Sequence, residues 1–189
     1  MSGFSPRALR SFEIARQVFD LLAANAVESA VIGSVALAVH GYVRATRDLD
    51  LGVTILSVRD LRRVADALRA TGCEVTVSEP APDDDLGGVV TVAGPDFDPI
   101  QIVNLRAPDG RRSKLAKDAV SSAKRMPGID LPVVDVPHLV ALKLISGAPR
   151  DDLDVVELLA ANPGEKDAAM SLCKTHRLGT RLATLLSRT

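Results

Sequence analysis

The chain has 189 residues, 47% apolar and 25% charged, with a formal net charge of -1. That balance excludes disorder, collagen-like repetition and a disulfide-packed scaffold, and the length suits one structural unit with two halves. No global positive field exists to hold nucleic acid, and aromatic residues at 3% offer few stacking platforms, so any polynucleotide contact must be local and rest on phosphates.

The opening residues lack a secretory-type apolar run, and the longest apolar stretch, 30–40, falls short of the roughly 20 residues that span a bilayer. A cytoplasmic protein with no membrane contact is expected. Cys73 and Cys173 are expected to be buried small hydrophobes in a reducing compartment, not a disulfide.

Ser5-Pro6 sets an N-cap followed by proline at the first helical position, and Leu9, Phe12, Val18, Phe19 and Leu22 recur at helical spacing up to Asn25. Residues 30–32 form a short buried strand broken by Gly33, after which Ser34 is placed to cap a helix running to Gly41. Residues 48–53 alternate polar and apolar, which puts Asp48 and Asp50 on one face of a strand and Leu49 and Leu51 on the other. Val58, Leu61, Val64, Ala65 and Leu68 mark a helix ending before Gly72, and a strand starts at Glu74. Residues 80–88 are a loop with the solvated tip Asp83-Asp84-Asp85, and the runs 89–92 and 100–103 flank a turn at Gly94-Pro95 as a hairpin.

From Lys114 the pattern is mainly helical: a helix to about 124, a short strand near 133–134, a helix from Pro137, and three more helices separated by breaks at Gly147-Ala148-Pro149 and Asn162-Pro163-Gly164. The expected organisation is an α/β (α+β) core over 1–112, a mixed sheet flanked by helices, with a helical subdomain over 113–189 packed on it.

Gly33-Ser34, thirteen intervening residues and then Asp48-Leu49-Asp50 carry a specific chemistry. A helix N-terminus after a glycine turn offers free N–H groups and a positive dipole end to a phosphate, and Ser34 adds a hydroxyl. Two carboxylates on one strand face suit Mg2+ or Mn2+ bridging to a triphosphate. This arrangement resembles the signature of the nucleotidyltransferase superfamily. The longer stretch VIGSVALAVHGYVRATRDLDLGV is similar to the abortive-infection, AbiE-type branch, and the helix bearing Lys143 followed by Arg150, Asp151 and Asp154 resembles that branch's later element. The resemblance covers roughly residues 28–160. It implies a nucleotidyltransferase fold, metal-dependent transfer of a nucleoside monophosphate from a nucleoside triphosphate to a hydroxyl, and, in this branch, a toxin acting on an RNA end such as tRNA with an antitoxin protein as partner.

On that reading Asp48 and Asp50 are catalytic and metal-binding, while Gly33, Ser34, Arg47 and Lys143 bind nucleotide. The superfamily usually adds a third carboxylate from a neighbouring strand, here expected near residues 99–104. Gln101 stands where that aspartate would be, and a shifted register or bulge would bring in Asp98 instead. With Gln101 in the slot the base that accepts the hydroxyl proton is missing, and a catalytically impaired nucleotide-binding or partner-binding relative becomes the alternative. Arg44, Thr46 and Arg47 suit either a polar loop or phosphate contact. Arg150, Asp151 and Asp154 suit a helix-start salt bridge, and His40 a satisfied helix end. The basic residues at 106, 111–117 and 124–125 read as a solvated helix face before an RNA path. Zinc spacing, a G-x-S-x-G elbow and a P-loop are absent from the sequence.

Overall fold

The computed structural model describes residues 5–46, 48–110 and 113–188. Helix α1, Pro6–Ala24, starts where Ser5 Oγ accepts the Ala8 N–H at 3.2 Å, with proline at the first turn as the sequence requires. Strand β1, Ser29–Ile32, is wholly buried and turns directly into helix α2, Gly33–Val39, at the positive φ of Gly33. Next come β2, Leu49–Val53, and helix α3, Val58–Arg69, whose Ser57 Oγ accepts the Asp60 N–H. Strands β3, Glu74–Ser78, β4, Val89–Ala93, and β5, Ile100–Asn104, complete the first half.

The second half holds α4, Ser113–Ser121, two short strands β6, Lys124–Arg125, and β7, Pro132–Val133, then α5, Val136–Ser146, α6, Asp151–Ala161, a short 3-10 turn Pro163–Glu165, α7, Lys166–Thr175, and α8, Gly179–Leu186. All seven strands join one mixed sheet in the order β3-β4-β5-β2-β1-β7-β6. β6 is a difference from expectation, because residues 124–125 read as the tail of a helix. Two exposed basic residues carry no strand pattern, and only their antiparallel pairing with β7 makes them one. The sheet therefore runs on past residue 113, and one continuous hydrophobic core draws residues from both halves.

Alternation sorts the sheet into two faces. Leu49, Leu51, Val53, Ile100 and Ile102 are buried on the side where α1 and α3 pack, and Asp50, Gln101 and Val103 point to the side covered by α4 and α5. Register fixes a row across the second face. Asp50 lies opposite Ile32 of antiparallel β1 and opposite Gln101 of parallel β5, and Gln101 lies opposite Thr91 of β4.

Asn104 ends β5 on a junction of backbone groups. Its side chain is buried, accepts the Ile55 N–H at 2.9 Å, and donates to the carbonyls of Ile55 and Gly87 at 3.1 and 3.2 Å. It thus ties the β2–α3 connection and the 79–88 loop to the sheet. Removing it strands buried polar groups, so Asn104→Ala is expected to lower the unfolding free energy by about 2 kcal/mol, read as a lower urea midpoint at unchanged slope.

Candidate active site

The site is built where β1 breaks. Gly33 has φ +63, and a Cβ at this position would overlap Asp50 Oδ2. Glycine is therefore required twice, for the left-handed turn and for the close approach of the carboxylate. Asp48 stands one residue before β2 and Asp50 within it, and both line a cleft of about 570 Å3. Gln101, Val103 and Leu105 continue the floor, α4 and α5 supply an apolar wall through residues such as Leu115 and Leu139, and Lys143 faces in from α5. At the mouth the 79–88 loop brings Asp84 and Asp85 into the lining, so the acidic loop expected to be a solvated tip borders the cleft.

Ser34 is buried inside the first turn of α2 and does not cap it. Its hydroxyl donates to Thr46 Oγ1 at 2.8 Å, and Thr46 donates to Asp48 Oδ1 at 2.6 Å. Gln101 Nε2 approaches the other oxygen, Asp48 Oδ2, at 3.4 Å. Gln101 thus stands beside the pair, as its position opposite Asp50 requires.

Asp98 is not brought to the pair. Its Oδ1 takes Arg7 Nε of α1 at 2.6 Å and its N–H donates to Ser11 Oγ at 2.8 Å, while Arg7 also donates to the carbonyls of Pro95 and Phe97. Those bonds hold the β4–β5 turn on the α1 side of the sheet, opposite the cleft. No bulge shifts β5, whose pairing with β2 is continuous from Ile100 to Asn104. Arg47 lies outside the described residues.

Lys143 Nζ contacts two buried carboxylates, Asp151 Oδ1 at 2.7 Å and Asp154 Oδ2 at 2.8 Å. Asp154 also pairs with Arg44 Nε at 3.2 Å. Asp151 and Asp154 open α6, where acidic residues favour the helix dipole, but the cations they engage are Lys143 and Arg44 from other elements. Acidic first-turn spacing signalled the helix start; it carried no information about which distant cation would arrive. His40 Nε2 sits 2.8 Å from the Val134 carbonyl at the end of α2, the structural role expected of it. Cys73 and Cys173 are both free thiols.

Burial, reinforced by the neighbouring Asp48 charge and only partly offset by Lys143 and Arg44, pushes the Asp50 carboxyl up to about 7. Two crowded carboxylates short of positive charge form an oxygen donor set that suits a divalent cation. Among the described residues no group of three or more His, Cys, Asp or Glu side chains converges on one point, so the donor set is the pair alone.

No protein-family model and no curated protein matches the sequence. Among solved structures, the chain is similar to the solution structure of the antibiotic-resistance factor ANT(2'')-Ia, with a TM-score of 0.55 at 12% identity over 95% of this chain and 97% of that one. It is also similar to the crystal structure of ANT(2'')-Ia in complex with adenylyl-2''-tobramycin, with a TM-score of 0.50 at 10% identity over 88% and 96% of the two chains. The lincosamide antibiotic adenylyltransferase LnuA, lincomycin-bound, matches at 14% identity and a TM-score of 0.49 over 79% and 97%. The fold is the nucleotidyltransferase fold. No helix among the described residues is long and apolar enough to cross a membrane.

The elevated Asp50 value has a stability consequence. A carboxyl whose folded value lies above its unfolded 3.8 favours the folded state most when protonated, and that contribution is lost as pH rises through about 7. Asp50→Asn is therefore expected to be more stable than the metal-free wild type at pH 8 by about 4 kcal/mol, with the gap closing toward pH 4. Thermal melts in EDTA across that range check it; a gap that does not change with pH would contradict it.

Proposed function

We propose that the protein is a metal-dependent nucleotidyltransferase that moves a nucleoside monophosphate from a nucleoside triphosphate to a hydroxyl acceptor. The observation that carries this reading is the Asp48–Asp50 pair packed against Gly33 at the head of the cleft, with Lys143 on the facing wall. Asp48 and Asp50 would hold Mg2+ or Mn2+, which when bound supplies positive charge to the triphosphate. Lys143, oriented by Asp151 and Asp154, presents its ammonium to phosphate oxygens, and the apolar wall from α4 and α5 receives base and sugar. Transfer then forms a bond from the acceptor oxygen to the α-phosphorus and breaks the bond to pyrophosphate. Gln101 beside the pair is no base, so the hydroxyl proton passes to solvent and turnover is slow.

The AbiE-type resemblance of the Val31–Val53 region supports an RNA acceptor, a tRNA end, with the protein as the toxin of a toxin-antitoxin pair in the cytoplasm. Several cations near the suggested RNA path are already paired, Lys114 with Asp118 and Arg125 with Asp130, so phosphate contact there would rest on the rest of the basic set. An amino-sugar antibiotic is the rival acceptor, because ANT(2'')-Ia is an antibiotic-resistance factor solved with adenylyl-2''-tobramycin.

A second reading, nucleotide binding without turnover, is favoured by one observation: Gln101 takes the position opposite Asp50 while Asp98 is committed to Arg7. To separate the readings, the protein is incubated with Mg2+ and each labelled triphosphate, in one arm with total RNA and in another with an aminoglycoside. Transfer into RNA that disappears in Asp48→Ala supports the proposal, and transfer only into the aminoglycoside replaces the acceptor. Nucleotide binding with no transfer in either arm establishes the second reading. Gln101→Asp is expected to raise transfer about tenfold or more by restoring a base beside the pair, and Asp98→Ala to leave it unchanged.

A further inference from the structure

Arg44, in the loop between α2 and β2, is not part of the cleft wall, yet it is joined to Lys143, which is. The joint is Asp154, a fully buried carboxylate that divides its two oxygens: Oδ1 faces Arg44 Nε at 3.2 Å and Oδ2 faces Lys143 Nζ at 2.8 Å. Among the described residues neither Asp154 oxygen nor Arg44 Nε has a hydrogen-bond partner, so both contacts are attractions of charge and not aligned hydrogen bonds. Asp151 differs. Its Oδ1 accepts a hydrogen bond from Lys143 at 2.7 Å and its Oδ2 accepts the Ala148 N–H at 2.9 Å, so the backbone helps to hold it. Asp154 has only its two cations, and the two carboxylates of the cluster are balanced only when Arg44 is counted beside Lys143.

We propose that Arg44 is a positioning residue: by holding one oxygen of Asp154 it keeps that carboxylate from drawing the Lys143 ammonium fully into the cluster, and so leaves Lys143 free to engage a triphosphate. This rests on the reading of the cleft as a nucleotide site. An ammonium has three N–H donors; Lys143 gives one to Asp151 and turns one toward Asp154, which leaves one for a phosphate oxygen. Without Arg44, two buried carboxylates stand against a single ammonium. Attraction is strong where water is excluded, so the uncompensated Asp154 pulls on the nearest remaining cation, which is Lys143. The phosphate end of the cleft then loses positive charge twice, once through Arg44 and once through the retracted ammonium. Both cations already act at the cleft floor, since each opposes the rise in the Asp50 carboxyl, Lys143 more than Arg44.

The test is calorimetric titration of the whole protein with the Mg2+ complexes of the four non-hydrolysable nucleoside triphosphates, continued with whichever binds tightest. Arg44→Gln is expected to weaken binding about tenfold, and Arg44→Lys, which restores the charge, to stay within about threefold of wild type. The double variant Arg44→Gln/Asp154→Asn removes the carboxylate that Arg44 balances, and is expected to return to within about threefold of wild type. It buries no uncompensated charge, so its affinity decides the matter even where Arg44→Gln alone does not fold. An Arg44→Gln variant that binds as tightly as wild type, an Arg44→Lys variant as weak as Arg44→Gln, or a double variant about tenfold or more weaker than wild type each overturns the proposal. The last is the outcome that direct phosphate contact by Arg44, or a purely structural pairing, would give. Wild-type protein that binds none of the four triphosphates removes the nucleotide reading and the role of Arg44 with it, a failure distinct from the other three.

Discussion

Asp50 occupies the space where Gly33 lacks a side chain. Antiparallel pairing of β1 with β2 sets Ile32 opposite Asp50, so the turn that follows Ile32 must pass beside the Asp50 carboxylate. Only glycine can take φ +63 there without collision. From that contact follow the burial of Asp50, its crowding against Asp48, and the start of α2 over the cleft. A side chain at residue 33 would push the carboxylate off its place and undo each of these together.

The second wall of the site comes from the C-terminal half. Lys143 reaches the cleft because α5 packs against α2 and α4, and its ammonium is held by two buried aspartates of α6. Arg44, in the loop leading to Asp48, joins the same cluster through Asp154. That loop therefore touches both walls, Asp48 through Thr46 and Lys143 through the Arg44–Asp154 pair. Buried charges of this sort add little net stability, and removing one partner leaves an uncompensated charge, so the cluster acts mainly to fix geometry.

Much of the fold was legible because its signals are local. Ser5-Pro6 starts a helix by bonding within four residues, the apolar spacing from Val58 to Leu68 marks another, and the alternation at 48–53 placed both aspartates on one face. What stayed illegible is non-local. Alternation names a face but not the neighbour across the sheet, so only the β2–β5 register shows that Gln101 stands opposite Asp50, and only the position of α1 shows that Arg7 captures Asp98. Ser34 likewise reads as a helix cap until the loop carrying Thr46 is seen folded onto it. The two-residue strand β6 has no periodicity to read at all.

Anomalous diffraction from crystals grown with Mn2+ and a non-hydrolysable triphosphate locates both ligands at once. A manganese peak bridging Asp48 and Asp50, with the triphosphate running from the Gly33 turn toward Lys143, is the expected result. A triphosphate bound away from this cleft, or a manganese peak that touches neither aspartate, would contradict it.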